Sequence, residues 1–165
     1  MTDYKKLVKA ANYLLQDAEE GKTCKMDMDQ WATIKVDGKP VPDNACATSA
    51  CAMGKLALAK LFKGLTLEYD TEWWELVYKD KDGSRNEGFY APAALFDIDV
   101  QEAEALFGGS DASVAGGYRK GLKAQIKVAN RIIAFVDAKV ALEEVQNILK
   151  KNKLFFDGSC IISAE

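Results

Sequence analysis

The chain has no histidine. Histidine is the commonest general base near neutral pH and a frequent metal ligand. Its absence excludes the Ser–His–Asp and Cys–His nucleophilic constellations, the H-E-x-x-H zinc site and any two-His-one-carboxylate iron site. Chemistry, if there were any, would rest on carboxylates, lysine, tyrosine or a thiolate. Proline is scarce, with three in 165 residues, and no Pro- or Ser-rich linker, internal repeat or low-complexity tract interrupts the chain. That length suits a single domain, residues 1–165, with its own core. No apolar run approaches the roughly 18–20 residues of a membrane span, so no membrane partner is expected. The first residues, "MTDYKKLVKAANYLLQDAEEG", are amphipathic and carry acids, unlike a signal or transit peptide. Cations are not in excess: 22 Lys and Arg face 25 Asp and Glu, a net charge of −3. This argues against nucleic acid as a general partner. A cytoplasmic chain is expected, with its four cysteines as reduced thiols.

What is present reads as a mostly helical α+β domain with a small antiparallel β-hairpin or three-stranded element. Residues 3–20 carry apolar side chains at 3–4 spacing, with Asp3 placed to cap the start and Gly21 to end it. "CKMDMDQW" (24–31) suggests a short helical turn, and "IKVDGKPVPDN" (34–44) a loop or edge hairpin. A second helix is expected over 49–62. Over 65–90, aromatic and β-branched residues alternate with charges around Asp82-Gly83. This predicts strands near 73–79 and 85–90, with a third at 65–69. Helical pattern returns at 90–108, with Pro92 in a first turn and Asp99 and Glu102 spaced as a capping box. Two further helices are expected at about 117–136 and 138–151, followed by an apolar tail suited to a strand.

The stretch "NACATSACAMGKLALAKLF" (44–62) sets Cys46 and Cys51 at the start of an apolar run. With Cys24 and Cys160 they could in principle make a four-thiolate zinc site, but structural zinc sites pair their ligands as knuckles, and here two thiols stand alone. A thiolate nucleophile at Cys51 would lack a histidine to accept its proton. Packing accounts for the pattern better: cysteine is a small, readily buried hydrophobe, and Ala47, Ala50, Ala52 and Gly54 permit close approach. Thr48 or Ser49 is placed to cap the helix.

The helix at 117–136 has two faces. Leu122, Ile126, Ala129, Ile133 and Val136 share an arc of about 80°. Lys120, Lys123, Lys127 and Arg131 lie on the other side, and no acid occurs between Asp111 and Asp137. This is either a solvated face, paired with Asp97, Asp99, Glu102 and Glu104, or an anion site. In the second case the glycines of "GGSDASVAGGYRKG" (108–121) would bring backbone N–H groups to an anion beside Arg119 and Lys120. No G-x-x-x-x-G-K-[ST] is present, so a P-loop NTPase is not supported.

Four pieces together carry a resemblance: "KMDMDQW", then "CATSACAMGKLALA", then "FDIDVQEAEALFG" (96–108) and "RIIAFVD" (131–137). They resemble a family of small, uncharacterised bacterial and phage proteins with an F-D-M-x-x-W … C-G-T-x-x-C-x-x-G motif. The matching residues are Met26, Asp27, Met28, Trp31, Cys46, Thr48, Cys51 and Gly54, while Ala47 stands in place of the motif's glycine. The resemblance implies a phage or mobile-element origin. It implies no catalytic residues, since no activity is established for the family.

The expected function is a non-enzymatic binding protein, phage-related. It would sequester an anionic small molecule of nucleotide type or inhibit a host defence protein. Its contact residues would be Trp73, Trp74, Gly109, Ser110, Arg119, Lys120, Lys123 and Lys127, because aromatic planes with cations and helix N-termini suit a nucleotide. Tyr78, Phe89 and Tyr90 are further exposed-aromatic candidates, and bare aromatics in a hairpin also suit a protein interface. No catalytic residue, metal or cofactor is expected. The alternatives are a carboxylate-based hydrolase, with or without a divalent metal, using Glu72, Glu75, Asp97 or Asp99, and a homo-oligomeric interaction protein.

Overall fold

The computed structural model describes residues 2–21, 25–26, 31–33, 35–36, 39–40, 49–70, 73–108, 121–151, 154–156 and 161–163. The fold is the expected mostly helical α+β arrangement with a three-stranded antiparallel sheet. Helix α1, Tyr4–Glu20, begins where the Asp3 carboxylate accepts the Lys6 N–H at 3.1 Å. It ends at left-handed Gly21, whose N–H reaches the Asp17 carbonyl at 2.9 Å. Both ends are the ones that the residue types dictate.

Three two-residue strands follow from two separate segments. Strand β1 (Lys25–Met26) runs parallel to β5 (Ser49–Ala50), and β2 (Ala32–Thr33) pairs with β5 antiparallel. Residues 25–26 are therefore strand, where a helical turn was expected. Local pattern could not reveal this, because the pairing partner lies 24 positions along. Strands β3 (Lys35–Val36) and β4 (Lys39–Pro40) form the expected edge hairpin.

Helix α2 is shorter than the expected 49–62 and spans Ala52–Leu58. Ser49 and Ala50 belong to a strand ladder, and Cys51 is extended, so the helix cannot start earlier. At the other end Lys60 takes φ 51°, with Leu61 N–H bonded to the Leu56 carbonyl at 3.1 Å and Lys60 N–H to Ala57 at 2.9 Å. That is a Schellman closure formed without glycine.

Strands β6 (Leu65–Asp70), β7 (Trp73–Lys79) and β8 (Arg85–Glu87) make an antiparallel meander, with Leu65 opposite Tyr78 and Tyr69 opposite Trp74. Helices α3 (Tyr90–Phe96) and α4 (Val100–Phe107) divide the expected 90–108 segment at Asp97, which takes φ 54°. Pro92 sits in the first turn of α3, where a missing N–H costs nothing. Both bonds of the Asp99–Glu102 capping box are present.

Helix α5, Gly121–Lys151, is continuous, where two helices were expected. Nothing near Asp137 breaks it: neither glycine nor proline occurs between 122 and 151. At about 1.5 Å per residue it is roughly 46 Å long. Strands β9 (Leu154–Phe156) and β10 (Ile161–Ser163) pair antiparallel after it. The core joins α1, α2, the meander, α3, α4 and the first half of α5. Its centre is aromatic: Phe96 stacks on Phe107 at 5.4 Å and meets Phe62 edge-on at 5.7 Å.

Candidate functional site

Of the expected contact residues, the side chains described are Trp74 on the meander and Lys123 and Lys127 on α5. The meander packs against α2 and α3, whereas α5 packs against α1, α4, β1 and β9. Gly109, Ser110, Arg119 and Lys120 lie outside the described residues, as do Cys24, Cys46, Cys160 and Glu72.

On the meander, alternation sorts the side chains. Leu65, Leu67 and Tyr69 share a face with Tyr78, Leu76 and Trp74. The row is buried at the Leu65–Tyr78 end and opens toward the other, where Tyr69 is 42% exposed and Trp74 half-buried. These two rings lie 5.3 Å apart at 54°. Trp73 is the first residue of β7, and its side chain lies outside the described ones. Tyr78, a candidate exposed aromatic, is instead a core residue at 8% exposure, because its register places it over Leu65. Phe89 is half-buried against Trp31, edge-on at 5.1 Å, while Tyr90 is 64% exposed.

The other face of the sheet carries an ionic group beside the buried Val77. Glu68 accepts from Arg85 and from Lys79 at 2.9 Å, and Arg85 also donates to Glu87 at 2.6 Å. Arg85 and then Lys79 hold the Glu68 carboxyl below its ordinary value. A folded value below the unfolded one means stabilisation that is present above the ordinary glutamate titration and lost as pH falls through the folded value. These groups are well solvated, so Glu68→Gln should cost less than about 1 kcal/mol at neutral pH. The difference from the parent chain should shrink in urea titrations as pH falls below the ordinary glutamate range.

The basic side of α5 is only partly as expected. Lys123 is exposed and Lys127 half-buried. Arg131, counted with them, serves the fold: its Nη1 donates to the Ala105 carbonyl at 2.6 Å and to Leu106 at 3.4 Å, at the end of α4. A cation there satisfies carbonyls that a helix leaves unpaired. Glu102, of the acidic stretch, is bridged by Lys139, which was not among the expected cations. The buried face of α5 is turned from the expected one. Ala124, Gln125, Val128, Ala129, Ile132 and Val136 are buried, while Leu122 is 54% and Ile126 37% exposed.

The reason is a polar cluster that sequence reasoning did not identify. Gln125 is 3% exposed and donates from Nε2 to the Leu14 carbonyl and to Asp17 Oδ2, both at 2.8 Å. Lys55 is 2% exposed, and its Nζ lies 2.8 Å from the same Asp17 oxygen. Three elements, α1, α2 and α5, thus meet on one buried carboxylate. The signal available was Lys55 immediately after Gly54 in an otherwise apolar run.

The two halves of the sequence motif also meet. Cys51 N–H donates to the Trp31 carbonyl at 3.2 Å, and Gly54 lies directly against that carbonyl. Cys51, 2% exposed, is itself the N-cap of α2: its Sγ accepts the Gly54 N–H at 3.4 Å, in the role expected of Thr48 or Ser49. Among the described residues no three His, Cys, Asp or Glu side chains are grouped to hold a metal ion. No described helix is long and apolar enough to cross a membrane. Compared with protein-family models, curated proteins and solved structures, the chain finds no match in any of the three.

Proposed function

We propose that the chain is a non-enzymatic binding protein that engages a protein partner at the aromatic end of its meander. On the phage resemblance, that partner is a host defence protein and the setting is the host cytoplasm. One observation carries the reading: Tyr69 and Trp74 stand as a tilted pair at the open end of a row whose other end is core. Rings held on a sheet have little freedom left to lose on binding, and large aromatics dominate the energetics of protein interfaces. A second reading is supported by Lys123 and Lys127 on one side of α5. There an anionic small molecule of nucleotide type would bind, with Gly109, Ser110, Arg119 and Lys120 completing the site.

Tagged protein and its Tyr69→Ala and Trp74→Ala variants, incubated with host extract, distinguish these readings. The partner retained by the parent chain should be lost by roughly tenfold or more in Trp74→Ala, an effect of hot-spot size. Retention undiminished in both variants would sink the aromatic reading. A thermal shift with a nucleotide, abolished by Lys123→Glu with Lys127→Glu, would establish the second reading instead.

A further inference from the structure

The fold leaves part of an apolar stripe on α5 uncovered. Leu122, Ile126, Ala129, Ile133, Val136 and Val140 follow alternating steps of four and three, the a/d spacing of paired helices. Ala129 and Val136 are buried by the chain's own core. Leu122 at 54%, Ile126 at 37% and Val140 at 38% are not, and Ile133 is half-buried. A single exposed leucine requires no explanation, but a row along about 27 Å of one helix does. Beside the row, on its solvent edge, Lys123, Asn130 and Asp137 recur at seven-residue steps, and all three are exposed.

The charges at the two ends of that edge are opposite, and this selects the occupant. We propose that α5 pairs antiparallel with α5 of a second copy, about a two-fold axis near Asn130. In that register Leu122 faces the partner's Val140, once at each end of the interface. Each Lys123 then lies beside the partner's Asp137, twice by symmetry. A parallel pair would set Lys123 against Lys123 and Asp137 against Asp137, which like-charge repulsion disfavours. The interface is isologous, as in most homodimers. With Ala129 and Val136 already buried internally and Ile133 half-buried, the dimer is weak, with a dissociation constant on the order of micromolar.

Sedimentation equilibrium of the full chain at low salt, from micromolar to submillimolar concentration, tests this. The parent chain should show a concentration-dependent monomer–dimer equilibrium, and Ile126→Glu should remain monomeric. Lys123→Glu and Asp137→Lys should each weaken association about tenfold or more, and the double variant should recover it. All these positions are solvent-facing, and circular dichroism checks that each variant is folded. A parent chain that stays monomeric throughout would overturn the proposal, as would a dimer in which the double variant is not rescued.

Discussion

Gly54→Ala should lower the stability of the chain by about 2–3 kcal/mol, even though alanine is the better helix former. A Cβ built at Gly54 falls inside the radius of the Trp31 carbonyl oxygen, 2.9 Å from the carbonyl carbon and 3.1 Å from the Ala50 Cβ. The obstacle is backbone, so no rotamer change relieves it. Alanine in a helix gains about 1 kcal/mol over glycine. The clash outweighs that gain, because relief requires α2 to move away from Trp31. Such a movement loosens the Cys51 N–H bond to the Trp31 carbonyl and with it the seat of β5 between β1 and β2. Gly54→Val should exceed about 4 kcal/mol and fail to accumulate as folded protein. For a chain of this size, 2–3 kcal/mol corresponds to a fall in Tm of roughly 5–10 °C. Urea titration should show a lower midpoint with an unchanged slope, and a midpoint equal to or above the parent's would refute the close approach.

This glycine also shows what the sequence made legible. The small residues around Cys51 announced a close approach of helix to neighbour, and that is what Gly54 provides against Trp31. They could not announce that Trp31 was the neighbour, since contact across 20-odd positions leaves no local pattern. Helix ends set by local chemistry were readable: Asp3, Gly21 and the Asp99–Glu102 pair act within four residues of themselves. The meander was readable because Asp82-Gly83 separates two alternating runs, and Gly83 does take φ 89°.

The long helix was less legible. Periodicity gives the angle of the apolar side chains, not which part of that arc the body covers. Burial of Gln125 turned the answer, and its partners Leu14 and Asp17 are 111 and 108 positions away. The candidate site divided in the same way. The tryptophans were assigned to strands correctly, but which aromatic faces the core depends on register, which buried Tyr78 and left Tyr69 open. Arg131 looked like its neighbouring cations because nothing in a sequence marks a carbonyl waiting at the end of another helix.

Removing the Lys55 ammonium should be the most damaging single change among the charged residues. Lys55→Met leaves the Asp17 carboxylate in the core with Gln125 but without its cation, and truncating one partner of a buried pair costs about 3–5 kcal/mol. That is a large share of the roughly 5–15 kcal/mol that holds a domain together. Asp17→Asn should cost a comparable amount by removing the carboxylate charge 2.8 Å from the ammonium, although the amide can still meet Gln125. The double variant Lys55→Met with Asp17→Asn removes both charges and should cost clearly less than the sum, with a coupling of about 2–3 kcal/mol. Guanidinium would screen charge, so urea is the denaturant for the cycle. Salt separates this pair from the surface lattice. The Glu68 contribution should fade in 1 M salt, where screening acts over only about 3 Å. The Asp17–Lys55 coupling should persist there, because both side chains are almost wholly withdrawn from solvent. Strict additivity, or a coupling that fades with salt, would mean that the pair does not bind α1 to α2 as its 2.8 Å contact implies. A persistent coupling would identify the cluster as the joint that fixes the orientation of α5, and with it both exposed faces of that helix.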